Sequence, residues 1–223
     1  MSIYGCVLQE KYLKSEPDIL YNKDKFDSGE INLCFIIGHS GSGKSTFAKY
    51  LSEEDNVEYY SLDDVIINKP WFSMEDLKKY GDLIYSFFNG VGKKFYLTND
   101  EMDNSIEFGN KPILYYEVKL ITDFVKYSIS YSKSHKNTKF IIEGIWIYEY
   151  IDPEMINNFA VYIKGTSFLS STARAVKRDF NYGKNFKEKV EIGVKRIIRS
   201  GEFIFDERKL QQFRNYFKWK VCV

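Results

Sequence analysis

Residues 31–46 read INLCFIIGHSGSGKST, and this stretch decides the fold. The apolar run Ile31–Ile37 is typical of a short strand buried in a parallel sheet. The octapeptide GHSGSGKS that follows, residues 38–45, fits the pattern G-x-x-x-x-G-K-[ST] that links a strand to a helix. We therefore expect a strand, then a loop that binds phosphate groups, then a helix over about residues 43–52.

The residue types of this loop have physical reasons. Glycines let the backbone curl until successive N–H groups point inward at an anion, and the following helix adds its dipole and its free N–H groups. Lys44 is predicted to reach the β- and γ-phosphate oxygens, and the Ser45 hydroxyl to bind Mg²⁺. The motif does not distinguish ATP from GTP. The predicted nucleotide-binding residues are Gly38, Ser40, Gly41, Ser42, Gly43, Lys44, Ser45 and Thr46.

Strand and helix patterns alternate along the rest of the chain. Further short apolar runs predict strands at Val57–Ser61, Lys139–Glu143 and Phe159–Ile163. Helical spacing predicts helices over about 73–90, 113–130, 170–180, 186–199 and 206–217. The alternation indicates βαβ units, and hence an α/β fold with a parallel sheet and helices on both faces.

Composition limits the class of protein. With 223 residues, 44% apolar and 28% charged, the chain is expected to fold as one domain. No apolar run reaches the roughly 18 residues that cross a bilayer, and the first ten residues do not resemble a secretory signal. The three cysteines are far apart and the histidines number two, which argues against a disulfide framework and a zinc site. These features predict a cytoplasmic protein without a membrane partner.

Charge is unevenly distributed although the net charge is only +1. Residues 174–220 contain 14 Lys and Arg against 6 Asp and Glu. This surplus favours a polyanionic ligand such as a nucleotide or a nucleic acid. A pair of solvated basic helices is the alternative.

Motifs of several other nucleotide-binding classes are missing. The tetrapeptide NKPW at 68–71 begins like the N-K-x-D motif of GTPases but lacks the aspartate. No LSGGQ-type signature of transporter ATPases occurs, and helicases and hexameric motors need a longer chain. A small-molecule kinase fits the size.

Four segments resemble the uridine kinase-type P-loop kinases, within the wider group of nucleoside and nucleotide kinases. In order, they are IIGHSGSGKST at 36–46, YYSLDD at 59–64, FIIEGIW at 140–146 and RAVKRD at 174–179. The resemblance implies a three-layer P-loop NTPase fold with a helical substrate-binding insert and a basic lid, in a single domain.

The resemblance also implies how that domain is divided along the chain. A nucleotide-binding core at 31–69 and a Walker B core at 136–169 enclose an acceptor-binding insert at 70–135. A lid follows at 170–200. The remaining parts are an N-terminal extension at 1–30 and a C-terminal helix at 201–223.

Carboxylates at two matching positions are implied to be functional. Asp63 matches the acid that lies near the acceptor hydroxyl in these kinases, where it can accept the hydroxyl proton or help to hold Mg²⁺. Asp64 beside it is a second candidate, and capping a helix is the alternative for both. Glu143 matches the acid of the E-G pair that faces the Mg²⁺ side of the phosphate loop. The implied metal ligands are Ser45, Glu143 and Asp63.

The basic segment near residue 174 matches the lid. Arg174, Lys177 and Arg178 lie on one helix face. The resemblance implies that Arg174 and Arg178 clamp the transferring phosphoryl group and exclude water. A solvated basic face is the alternative. The implied catalytic residues are therefore Asp63, Lys44, Arg174 and Arg178.

The expected function is Mg²⁺-dependent transfer of the γ-phosphoryl group of ATP to a small-molecule acceptor. A nucleoside is the acceptor that the resemblance favours. Other acceptors remain open: a nucleoside monophosphate, a sugar or antibiotic hydroxyl, a UDP-sugar of the kind used by toxin-type kinases, or a polynucleotide end, although nucleic acid is not the favoured partner. The alternative of another class is a nucleotide-binding regulatory ATPase.

Overall fold

A computed structural model describes residues 17–62, 74–92, 112–166, 168–180, 188 and 208–221. Over these residues the chain is α/β, with a five-stranded, mostly parallel sheet flanked by helices. The strands are β1 (Ile19–Tyr21), β2 (Leu33–Ile37), β3 (Val57–Ser61), β4 (Lys139–Glu143) and β5 (Ala160–Ile163). The helices are α1 (Lys23–Asp27), α2 (Lys44–Leu51), α3 (Met74–Lys78), α4 (Asp82–Asn89), α5 (Pro112–Ser134), α6 (Trp146–Tyr150), α7 (Phe168–Phe180) and α8 (208–221).

The sheet order is β1-β5-β2-β4-β3, so β2 lies at the centre. Strand β2 is parallel to both of its neighbours, with Ile36 opposite Glu143 and Ile37 opposite Ile163. Strand β3 is parallel to β4, and β1 is antiparallel to β5. The carboxyl ends of four strands therefore lie along one edge of the sheet, where α/β proteins bind their ligands.

Helices cover both faces of the sheet, and alternate side chains of β2 point into two separate cores. Leu33, Phe35 and Ile37 belong to the larger core, which also contains side chains of α4, α5, α6 and α8. Cys34 and Ile36 belong to the smaller core, with side chains of α1 and α2. Burial on both faces explains why β2 reads as a continuous apolar run.

The four predicted strands are confirmed, with β2 and β5 shorter at their amino ends. The predicted parallel sheet is confirmed for β2, β3, β4 and β5, and β1 adds an antiparallel strand at one edge that was not predicted. Strand β1 is only three residues long and none of its side chains is fully buried. It therefore gives no apolar run by which it could be predicted.

The predicted single helix over 73–90 is wrong, because two short helices, α3 and α4, occupy this stretch. Gly81 separates them with φ +104°, outside the helical region. A Cβ atom at this position would lie 2.5 Å from the Tyr60 hydroxyl, so only glycine allows the close packing on β3. Helix α4 ends at Asn89, and Gly90 caps it as predicted.

The remaining helix predictions differ at their ends. Helix α5 is about one turn longer than predicted, and α8 extends about one turn beyond its predicted end. The helix predicted over 186–199 lies outside the described residues except for residue 188, which is helical. Within the described parts of the chain, no helix is both long and apolar enough to cross a membrane.

Candidate active site

A glycine-rich loop connects β2 to α2 and consists of Gly38, His39, Ser40, Gly41, Ser42 and Gly43. Gly41 (φ +80°) and Gly43 (φ +92°) adopt backbone conformations that favour glycine. The Ser42 N–H donates to the carbonyl oxygen of His39 at 3.0 Å, which closes a turn. A Cβ atom on Gly38 would lie 2.7 Å from Ser42 Oγ. Glycines are therefore needed at the positions that the motif specifies.

Helix α2 begins directly after this loop, with Gly43 as its N-cap. The Phe47 N–H bonds to the Gly43 carbonyl at 3.0 Å, which is the first bond of the helix. The N–H groups of Lys44, Ser45 and Thr46 have no partner within the helix. They add to the positive end of the helix dipole, so this end of α2 favours an anion.

Glu143 is the last residue of β4 and is 1% exposed. Its Oε1 atom accepts hydrogen bonds from Ser45 Oγ and from the Tyr59 hydroxyl, both at 3.0 Å. Tyr59 lies on β3, and Ser45 lies in the first turn of α2. Hydrogen bonds from α2 and β3 thus fix the orientation of the buried Glu143 carboxylate, which lies at the end of β4 beside the amino end of α2.

Lys44 forms an ion pair with this carboxylate, with its Nζ 3.9 Å from Glu143 Oε2, and is itself 5% exposed. Within the described residues, Glu143 Oε2 accepts no hydrogen bond, and Ser42 Oγ makes none. Buried polar atoms are nearly always hydrogen-bonded in proteins. Both atoms therefore keep the capacity for a further polar partner.

The oxygen atoms at this position also fit Mg²⁺. This ion is usually held by one or two protein oxygens together with substrate phosphates and water. Ser45 Oγ and the Glu143 carboxylate supply such a pair, and Oε2 has spare capacity to accept. Among the described residues, no group of three or more His, Cys, Asp and Glu is placed so that it could hold a metal ion by itself.

A cleft of about 910 Å³ opens in front of the loop. It is lined by residues 41–47 and Tyr50 on one side, by residues 164–166 after β5, and by Arg174 and Arg178 of α7. All the predicted loop residues from Gly41 to Thr46 line it. The cleft therefore combines free backbone N–H groups with ammonium and guanidinium groups, which suits a polyphosphate.

Arg174 joins α7 to the loop across this cleft. Its Nε donates to the Gly41 carbonyl at 2.7 Å, and its Nη2 donates to Thr166 Oγ1 at 2.6 Å. Arg178 lies one turn further along the same face and also lines the cleft. The structure thus brings both predicted arginines to the cleft, and Arg174, although exposed, is hydrogen-bonded to the loop.

The segment after β5 forms a wall of the cleft that the sequence did not predict. Lys164 Nζ forms an ion pair and hydrogen bond with Asp18 Oδ2, and the Gly165 N–H donates to Asp18 Oδ1 at 2.7 Å. Lys164 Nζ also lies 4.7 Å from the centroid of the Phe47 ring. One signal for this wall was available, because residues that follow a predicted parallel strand lie at the ligand-binding edge of the sheet.

Asp63 and its neighbour Asp64 lie outside the described residues. The described chain reaches Leu62, and Ser61 pairs in register with Glu143. The role of Asp63 therefore stays a prediction. Among the aromatic residues of the predicted insert, Phe87 and Phe88 are buried in the larger core.

His39 occupies a variable position of the motif, and its surroundings keep it neutral. Burial lowers its pKa to about 4, and the positive charges of Lys44 and of Arg214 on α8 act in the same direction. The His39 ring also lies edge-on to Tyr148 with centroids 6.2 Å apart.

This shift predicts a loss of stability in acid. The unfolded chain protonates His39 near pH 6.5, whereas the folded chain protonates it only near pH 4, so stability falls as the pH drops through this interval. We expect the free energy of unfolding to fall by about 2 kcal/mol more between pH 7 and pH 5 in the wild type than in His39→Gln. Urea unfolding at the two pH values measures this, with His135→Gln as the control. An equal fall in wild type and His39→Gln would contradict it.

Comparisons of the chain with models of protein families, with curated proteins and with solved structures found no match. The interpretation of the site therefore depends on its own geometry and on the sequence motifs.

Proposed function

We propose that this chain is a Mg²⁺-dependent kinase of the uridine kinase-like, P-loop type. It transfers the γ-phosphoryl group of ATP to a small-molecule acceptor, and the resemblance favours a nucleoside. The observation that carries the proposal is the Ser45–Glu143 pair at the amino end of α2, with Lys44 beside it and Arg174 across the cleft. A cation-lined cleft with a buried carboxylate that can help to hold Mg²⁺ suits a nucleoside triphosphate.

Different residues at the cleft bind the phosphates, the metal ion and the transferring phosphoryl group. The N–H groups at the amino end of α2 bind the phosphates, and Lys44 holds the β- and γ-phosphate oxygens. Ser45 and Glu143 would hold Mg²⁺, which would supply positive charge to offset the negative charge of the phosphates. Arg174 and Arg178 stabilise the charge on the transferring group and keep water away from it.

Asp63 is the residue that acts on the acceptor, with Asp64 as the alternative. The acceptor hydroxyl oxygen forms a bond to the γ-phosphorus while the bond from that phosphorus to the β,γ-bridging oxygen breaks. ADP leaves with the β,γ-bridging oxygen, and the hydroxyl proton passes to the carboxylate.

The test is transfer of label from γ-labelled ATP, with Mg²⁺, into a mixture of nucleosides, nucleoside monophosphates and a small-metabolite extract. Lys44→Ala serves as the blank. Label in one acceptor, absent with the variant, would support the kinase and identify its acceptor class. Label found only as free phosphate, independent of any acceptor, would favour the regulatory ATPase instead.

Tyr59 is expected to act through Glu143. Its hydroxyl donates to Oε1, so it keeps the carboxylate oriented when the Ser45 hydroxyl turns to a metal ion. Loss of such a supporting hydrogen bond typically weakens metal binding by about 10- to 100-fold. We therefore expect Tyr59→Phe to raise the Kd for Mg²⁺ about tenfold, measured by titration calorimetry in the presence of a non-hydrolysable ATP analogue.

Tyr60→Phe is the matched control for this prediction. Tyr60 is the next residue on β3, so its side chain lies on the opposite face of the sheet from that of Tyr59. Its hydroxyl donates a hydrogen bond to Glu58. Mg²⁺ affinity should be unchanged in this variant. Equal affinities in Tyr59→Phe and wild type would remove Tyr59 from the site.

A further inference from the structure

We infer that Tyr50 is the base-binding residue of the donor subsite, and that the end of the cleft between Tyr50 and residues 164–166 receives the nucleobase of the phosphoryl donor. This inference rests on the proposed function, which supplies the nucleoside triphosphate. It adds where the base lies and which side chain contacts it.

Tyr50 is unusually exposed for an aromatic side chain. It lies on α2, is 68% exposed, and lines the cleft together with the loop. Isolated exposed aromatic residues are common on protein surfaces, but a ring on the wall of a polar cleft offers a surface on which a ligand can stack.

The position of Tyr50 on α2 matches the length of a nucleotide. Thr46 and Tyr50 are four residues apart, so they lie on the same helix face and are separated by about 6 Å along the axis. Thr46 belongs to the first turn of α2, whose free N–H groups suit phosphate. A triphosphate bound there directs its ribose along α2, and the base then reaches Tyr50.

The opposite wall suits a planar ring. Asp18 neutralises the Lys164 ammonium and holds the Gly165 N–H, so this wall is fixed and its charge is compensated. The Phe47 ring lies beneath Lys164, with 4.7 Å between Nζ and the ring centroid. The Tyr50 ring and residues 164–166 line the same cleft, and its volume of about 910 Å³ leaves room for a base.

Stacking of this kind does not depend on the identity of the base, because every base presents a π-face. The contribution of Tyr50 should therefore be similar for ATP and GTP. It should be absent for inorganic tripolyphosphate, which has no base.

The experiment measures binding of ATP, GTP and tripolyphosphate, each with Mg²⁺, to wild type, Tyr50→Ala and Tyr50→Phe. We expect Tyr50→Ala to raise the Kd of both nucleotides by about tenfold and to leave that of tripolyphosphate unchanged. Tyr50→Phe should bind like wild type because it keeps the ring. Trp219→Ala is the matched control, since Trp219 is 67% exposed on α8 and does not line the cleft.

Two results would overturn the inference while leaving the proposed function intact. One is an unchanged nucleotide affinity in Tyr50→Ala. The other is an equal loss of tripolyphosphate affinity, which would mean that Tyr50 acts on the shape of the loop. If the wild type binds none of the three ligands, the proposed function fails, and the inference fails with it.

Discussion

Replacing Lys44 with alanine is expected to lower phosphoryl transfer by about 10²- to 10³-fold, the usual effect of removing one fixed group that stabilises transition-state charge. Lys44 is 5% exposed and already oriented by Glu143, 3.9 Å away. It therefore needs little rearrangement to meet the phosphates. The measurement is the initial rate of label transfer from ATP to the acceptor identified by the assay.

Stability must be separated from catalysis in this variant, because Lys44→Ala leaves the buried Glu143 carboxylate without its cation. The double variant Lys44→Ala/Glu143→Gln removes both charges and should recover folding but not transfer. Lys49→Ala is the matched control, since Lys49 is an exposed lysine near the end of the same helix. Transfer at more than a tenth of the wild-type rate by Lys44→Ala would contradict the role given to this residue.

Replacing Arg174 with alanine is expected to lower kcat/KM for transfer by about 10²-fold or more. The side chain donates to both the Gly41 carbonyl and Thr166 Oγ1, so it fixes the distance between α7 and the loop as well as supplying charge. Arg174→Lys should recover little activity, because a lysine ammonium does not reproduce the planar fork that reaches two acceptors. Steady-state kinetics of both variants measure the effect.

Lys177 provides the comparison for Arg174. It lies on α7, is exposed, and does not line the cleft, so Lys177→Ala should keep wild-type kinetics. Full activity in Arg174→Ala would exclude the clamp and would favour the regulatory ATPase. Equal losses in Arg174→Ala and Lys177→Ala would indicate that the general positive charge of α7 matters, and not this side chain.

Local patterns predicted the strand, the loop and the helix that surround the candidate site. Strand β2, the glycine-rich loop and the start of α2 are adjacent in sequence, and each carries its own signal. Glu143 was also predictable, because it ends an apolar run and parallel strands end at one edge. The P-loop kinase assignment goes beyond what the α/β fold establishes and stays a proposal.

Long-range contacts were not predictable from the sequence. Asp18 and Lys164 are 146 residues apart, and no sequence pattern near either residue predicts that they form a pair. The break at Gly81 depends on the Tyr60 side chain of another element, which overrides a regular helical pattern. Tyr50 was missed because an exposed ring on a helix resembles a surface residue until the opposite wall of the cleft is known.

The pairing of β1 with β5 has a consequence for biosynthesis. Strand β1 is the first of the described strands in the chain, yet its partner β5 is the last of them. A ribosome adds about 5–20 residues per second, so Asp18 is made roughly 7 to 30 s before Lys164. A three-residue segment cannot remain a strand alone for that time. The edge of the sheet and the wall of the cleft beside Lys164 are therefore completed late in synthesis, after β2, β3 and β4 have all been made.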